Sequence, residues 1–192
     1  MSEGFALNYR IPAGRELRVA ISGRSGCGNT TVSKLLASRL EVDCVNFTFR
    51  SLAAETGVPL AEIIERAKAD DSFDRAVDTR QVELARRGSC VLGSRLAIWM
   101  LDEADLKVYL TASEEVRARR ILEREGGDIA EIARFTAMRD AEDTGRYRRL
   151  YGIDNTDFSH ADLVVDTESR LPDAIVELIL GRLEERGLVE RA

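Results

Sequence analysis

Residues 17–40, LRVAISGRSGCGNTTVSKLLASRL, constrain the fold more than any other stretch of the chain. LRVAIS (17–22) is a short, β-branched apolar run of the kind buried in a parallel sheet. It passes directly into GRSGCGNTT (23–31). From Thr30 to Leu40 the apolar residues then fall at 32, 35, 36 and 40, a helical spacing. Strand, glycine turn and helix in succession form the context of a phosphate-cradling loop, G-x-x-x-x-G-K-[ST]. Gly23 and Gly28 stand at the required separation and Thr30 supplies the hydroxyl, but Asn29 stands where the lysine belongs. The N–H groups of such a turn form an anion nest, and the helix N-terminus adds partial positive charge. Neither effect needs the lysine. The loop from Gly23 through Arg24, Ser25, Gly26, Cys27, Gly28, Asn29, Thr30 and Thr31 is therefore expected to hold nucleotide phosphates. Thr30 is the expected Mg²⁺ ligand.

Catalysis is harder to read from this loop. The lysine ordinarily reaches the β- and γ-phosphates and offsets charge as the phosphoryl group moves. Asparagine can hydrogen-bond but carries no charge. Loss of one preorganised transition-state donor costs on the order of 10²–10³ in rate. Arg24, inside the loop, is the nearest replacement cation. Cys27 sits at a helix N-terminus, which would lower a thiol pKa, although its crowded backbone neighbours argue against a redox role.

Further along, EVDCVNF (41–47), SCVLG (89–93), LKVYLT (106–111) and DLVVDT (162–167) read as four more strands. Helical stretches fill the intervals. Gly57 and Pro59 punctuate 51–70, and Gly88 ends the helix before the third strand. Ser113 can cap EEVRARRILERE, and Asp128 can cap a longer helix reaching Tyr151. A last helix runs from Pro172 to Glu185. Strands alternating with helices predict an α/β three-layer fold, a five-stranded parallel sheet with helices on both faces. Residues 1–15 show no periodicity and read as a loose lead-in. Gly126-Gly127 is the expected hinge.

Composition fits a single soluble globular domain of 192 residues, 44% hydrophobic and 32% charged. The N-terminus carries no apolar export signal, and no run approaches the roughly 18–20 apolar residues of a membrane span. Three cysteines without metal-type spacing suit a reduced cytoplasmic protein. A net charge of −6 argues against a nucleic-acid partner. The oligomeric expectation is monomer or homodimer. Of the 28 basic residues only Lys34, Lys68 and Lys107 are lysine, so nearly all cationic contact must come from arginine. Arginine forks grip phosphate and carboxylate in bidentate fashion.

Three further stretches join the loop in one pattern: Phe49-Arg50 after the second strand, LGSRLAIWM (92–100), and RDAEDTGRYRRLYGID (139–154). With RQVELA (80–85) they resemble the cytidylate kinase family, particularly its compact archaeal-type members, from about residue 17 to 185. Arg139, Asp143 and Arg146 match the family's R-D-x-x-D-x-x-R element. The resemblance implies a P-loop nucleoside-monophosphate kinase fold with an NMP-binding insert at about 46–88 and a helical lid at about 113–150. It implies transfer of the ATP γ-phosphoryl group to CMP or dCMP, with Mg²⁺. By position, Arg50, Arg95 and Arg146 would hold the acceptor phosphate, and Arg139 and Asp143 would contact its sugar. One or more of Arg119, Arg120 and Arg124 would close on the ATP phosphates, unless Arg119 and Arg120 pair with Glu114, Glu115 or Glu123 on a solvated face.

Two departures stand out. Besides Asn29, the family's acid two residues before the third-strand arginine is replaced here by Gly93, in Gly93-Ser94-Arg95. Either the cation and the acid were lost together, because each answered the other's charge, and a rearranged site still works; or the chain is a nucleotide-binding pseudokinase. A kinase for another small acceptor on the same fold is the third reading.

Overall fold

The structure, a computed structural model, describes residues 9–191. In chain order the first half contains β1 (Tyr9–Arg10), β2 (Arg18–Gly23), α1 (Asn29–Leu40), β3 (Asp43–Val45), α2 (Phe49–Thr56), α3 (Leu60–Ala67) and α4 (Ser72–Ala85). The second half contains β4 (Cys90–Gly93), α5 (Ala97–Met100), β5 (Leu106–Thr111), α6 (Glu114–Glu125), α7 (Ile129–Tyr151), β6 (Leu163–Asp166), α8 (Pro172–Glu185) and β7 (Glu190–Arg191).

Five strands form one parallel sheet in the order β3-β4-β2-β5-β6. All five are the strands expected from the apolar runs. The central strand β2 shows why the sheet is buried on both faces. Val19 and Ile21 pack with α1 and α8 on one side, while Ala20 packs with α4 and α5 on the other. Burying one such aliphatic side chain contributes about 1.5–3 kcal/mol. β2 lies between β4 and β5, so the chain leaves its C-terminal end at a reversal of strand order, where open α/β sheets form their clefts.

Helix boundaries follow local chemistry. Thr48 caps α2, its hydroxyl accepting from the Ser51 N–H. Ser113 and Asp128 cap α6 and α7 as expected. Gly126 and Gly127, both at positive φ, separate those two helices, a backbone other residues rarely adopt. The lead-in differs from expectation. Residues 1–8 lie outside the described residues, but Tyr9–Arg10 forms a strand paired antiparallel with Glu190–Arg191. The pair is two residues long and carries no periodic signal, because neighbouring chain, not its own pattern, selects it. No described helix is long and apolar enough to cross a membrane.

Candidate active site

A cleft of about 1410 Å³ opens at the C-terminal edge of the sheet. Pockets for single drug-sized ligands run to roughly 300–1,000 Å³, so this cleft has room for more than one. Its floor is the loop Gly23–Thr31; one flank is α2–α4, and the other is formed by α6, α7 and residues 167–172.

The loop is built for an anion. Gly26 and Gly28 take φ of 84° and 98°. Gly26 also lies against α6, since a Cβ there would meet Arg117 Cβ at 2.8 Å and the Arg117 carbonyl at 2.9 Å. α1 starts with no side-chain cap and no acid in its first turn, leaving the first-turn N–H groups to a ligand. Thr30 and Thr31 are exposed beside them. The Asn29 side chain turns back into the loop instead, its Nδ2 donating to the Gly23 carbonyl at 2.6 Å. Asn29 thus braces the turn. Burial raises the Cys27 thiol pKa, outweighing the nearby Arg117 charge, so the lowered value expected from a helix N-terminus does not arise.

Arg95 joins the two sides of the cleft. Its Nη2 donates to Ser25 Oγ of the loop at 2.7 Å, and its Nε lies 3.2 Å from Asp143 Oδ2 on α7. Asp143, with 6% of its side chain exposed, accepts a hydrogen bond at Oδ1 from Arg146 Nη2. Arg146 Nε lies 3.2 Å from Asp74 on α4. Arg139 borders the same space, and among the described residues no carboxylate pairs with it; burial, then the Arg95 charge, lowers its pKa. Arg50 is exposed in the first turn of α2. A cation at a helix N-terminus opposes the dipole, and an anionic ligand would answer both. The structure therefore gathers Arg50, Arg95, Arg139, Asp143 and Arg146 around one space.

The α6 arginines divide. Arg119 points outward to Glu115, the solvated pairing. Arg120 turns inward, donating to Thr167 Oγ1 at 2.9 Å and to the Gly26 carbonyl at 3.3 Å. Arg124 pairs with Glu125 at the cleft rim. Arg24 is loosely held, its Nη1 3.9 Å from Asp140 Oδ2 with a third of the side chain exposed.

Sequence reasoning missed Arg117 and Asp140. Arg117 has 1% of its side chain exposed; its Nη1 donates to Asp140 Oδ2 at 2.7 Å and to the Ser25 carbonyl at 3.1 Å. The available signal was its place four residues before buried Ile121, on the inward face of α6.

Gly93 explains one departure sterically. A Cβ there would lie 2.4 Å from Ser33 Oγ and 2.8 Å from Ser33 Cβ. The Oγ can rotate away, but the Cβ is fixed to α1. The same Cβ would lie 3.9 Å from the Asn29 carbonyl oxygen, so the positions of the missing acid and missing cation are neighbours. Gly93→Ala is expected to lower stability by about 1–3 kcal/mol through overpacking. In a double-mutant cycle by denaturant unfolding, pairing it with Ser33→Gly should lose clearly less than the sum of the singles.

The cytidylate kinase-like family matches residues 18–169. The chain belongs to that family. Cytidylate kinase 2 of Borreliella burgdorferi is 42% identical over 176 residues, covering 90% of this chain and 98% of that protein. The cytidylate kinase of Pyrococcus horikoshii is 37% identical over 171 residues, covering 88% and 89%. Among solved structures, shikimate kinase from Acinetobacter baumannii in complex with shikimate superposes with a TM-score of 0.60 at 19% identity, over 90% of this chain and 96% of that one. Deoxyadenosine kinase from M. mycoides with bound dATP gives 0.53 at 16%, over 88% and 100%. The structural likenesses place this cytidylate kinase-like chain in the P-loop kinase fold.

Proposed function

We propose that the chain transfers the γ-phosphoryl group of ATP to CMP or dCMP, giving ADP and CDP or dCDP. The observation that carries this reading is Arg95, which touches the phosphate loop through Ser25 and the acceptor element through Asp143 at once. One guanidinium spans the line along which a phosphoryl group would pass.

In this reading the loop amides and the start of α1 hold the ATP phosphates, with Arg120 and Arg124 above them. Arg50, Arg95 and Arg146 hold the acceptor phosphate. Arg139 and Asp143 meet the sugar, and α2–α4 act as the acceptor-binding insert with α6–α7 as the lid. Thr30 would hold Mg²⁺ together with phosphate oxygens, and the ion would supply charge neutralisation between the β- and γ-phosphates. A phosphate oxygen of CMP attacks the γ-phosphorus in line, and the bond to the β,γ-bridging oxygen breaks. No general base is required, because the attacking phosphate is largely deprotonated at pH 7. Asn29 braces the loop and arginine carries the charge, with Arg24 the freest to turn toward phosphate.

ADP release with ATP·Mg and each of CMP, dCMP, UMP, AMP and shikimate tests the reading. CMP or dCMP is expected to support the fastest release, with CDP or dCDP formed in equal amount. Release with shikimate alone, or with none of the monophosphates, would overturn it.

A further inference from the structure

Helix α4 turns Asp74, Asp78 and Gln81 toward the acceptor half of the cleft. Asp74 is answered by Arg146. The other two form a separate chain of hydrogen bonds. Tyr151 Oη donates to Asp78 Oδ2 at 2.8 Å, and Gln81 Nε2 donates to Asp78 Oδ1 at 2.9 Å. Burial pushes the Asp78 carboxyl up to about 6, while both of its oxygens accept from the donors named. Exchanging the two ends of the Gln81 amide would set its oxygen against that carboxylate, so Asp78 fixes the amide with the oxygen facing away.

That oxygen is left without a partner. Gln81 is 2% exposed, lines the cleft, and its Oε1 has no hydrogen-bond partner among the described residues. A buried polar atom left unpaired is costly, so a donor from a ligand would be bound favourably. Leu60 and Ile64 of α3 and Val77 of α4 wall the cleft on the same flank and offer apolar surface to a flat ring. The combination suits a flat ring carrying a hydrogen-bond donor.

We propose that Gln81 is a specificity-determining residue whose Oε1 accepts a hydrogen bond from the exocyclic amino group of the acceptor's cytosine, with Asp78 and Tyr151 as positioning residues. The inference rests on the monophosphate-kinase reading above and deepens it. Uracil presents a carbonyl oxygen where cytosine presents the amino group, so acceptor would face acceptor. A site built to pair a donor rejects a partner lacking it far more strongly than an apolar pocket rejects a lost methylene. Discrimination against UMP of about 10² or more is expected.

The test compares CMP, UMP and the CMP analogue with a pyrimidin-2-one base, which lacks only the amino group. Binding by calorimetry and turnover are both read, on wild type, Gln81→Ala and Tyr151→Phe. Wild type should favour CMP over both other nucleotides, and Gln81→Ala should bring the three within about threefold while the KM for ATP stays near wild type. Tyr151→Phe should narrow the gap without closing it, since it removes only the outer support of Asp78. The analogue on wild type needs no variant to fold. Equal use of CMP and the analogue by wild type, or an undiminished CMP preference in Gln81→Ala, overturns the proposal while leaving the kinase reading intact. Selective CMP binding without turnover upholds the proposal and removes the kinase reading. Absence of binding by every pyrimidine nucleotide overturns both.

Discussion

Arg95→Ala should lower kcat for phosphoryl transfer from ATP to CMP by about 10³-fold or more. The side chain is only part-exposed, at 28%, and touches both halves of the cleft, at 2.7 Å to Ser25 and 3.2 Å to Asp143. A guanidinium placed there acts on charge that develops between donor and acceptor. Arginines that answer the transition-state charge in other phosphoryl transfers are worth about 10³–10⁵. The loop amides and the start of α1 are untouched by the substitution, so the KM for ATP should move by less than about tenfold. Arg95→Lys should recover little, because an ammonium cannot engage two partners with a planar fork. Steady-state rates with a single-turnover check would separate chemistry from product release. A kcat within tenfold of wild type would show that Arg95 positions α7 and does no more.

Asp140→Ala should be the most destabilising single change in the neighbourhood of the site. It strands the Arg117 guanidinium, whose side chain is 1% exposed. Breaking a buried pair by removing one partner costs about 3–5 kcal/mol. At about 2–4 °C per kcal/mol for a chain of this size, the thermal midpoint should fall by about 6–20 °C. Arg117 also donates to the Ser25 carbonyl, so the loop should loosen and ATP affinity should weaken along with stability. The double variant Arg117→Met/Asp140→Leu, which removes both charges, should recover most of the lost stability, as apolar replacements of buried pairs commonly do. Thermal unfolding of the three proteins checks this; equal losses in the single and double variants would mean that packing, not charge, governs the site.

Much of this molecule was legible in its sequence because the deciding signals are local. Each of the five sheet strands is a short apolar run, and the glycine turn between β2 and α1 announces the loop by spacing alone. The arginines at 50, 95, 139 and 146 stand close behind strand ends or within a spaced element, and the fold brings them together. What stayed hidden depends on contacts between distant segments. In RARR (117–120) the residue types do not say which arginines turn inward; Arg117 is buried because Asp140 lies across from it on another helix. Gly93 reads as a missing acid, and only the approach of Ser33 on α1 shows that a side chain there has no room. Gln81 belongs to a recognisable stretch, RQVELA, but its unpaired oxygen exists only once Asp78 has fixed the amide. The β1–β7 pair joins segments at opposite ends of the chain and leaves no pattern in either.

The central claim is that phosphoryl transfer runs here without the loop lysine, on arginine charge. The direct test is kcat with ATP·Mg and CMP for wild type and Asn29→Lys, measured side by side. The account predicts wild-type turnover in the range of about 1–100 s⁻¹ usual for kinases, with Asn29→Lys no more than a few-fold faster. Negligible wild-type turnover, restored by the lysine, would contradict it and leave a nucleotide-binding protein whose pocket has outlived its chemistry.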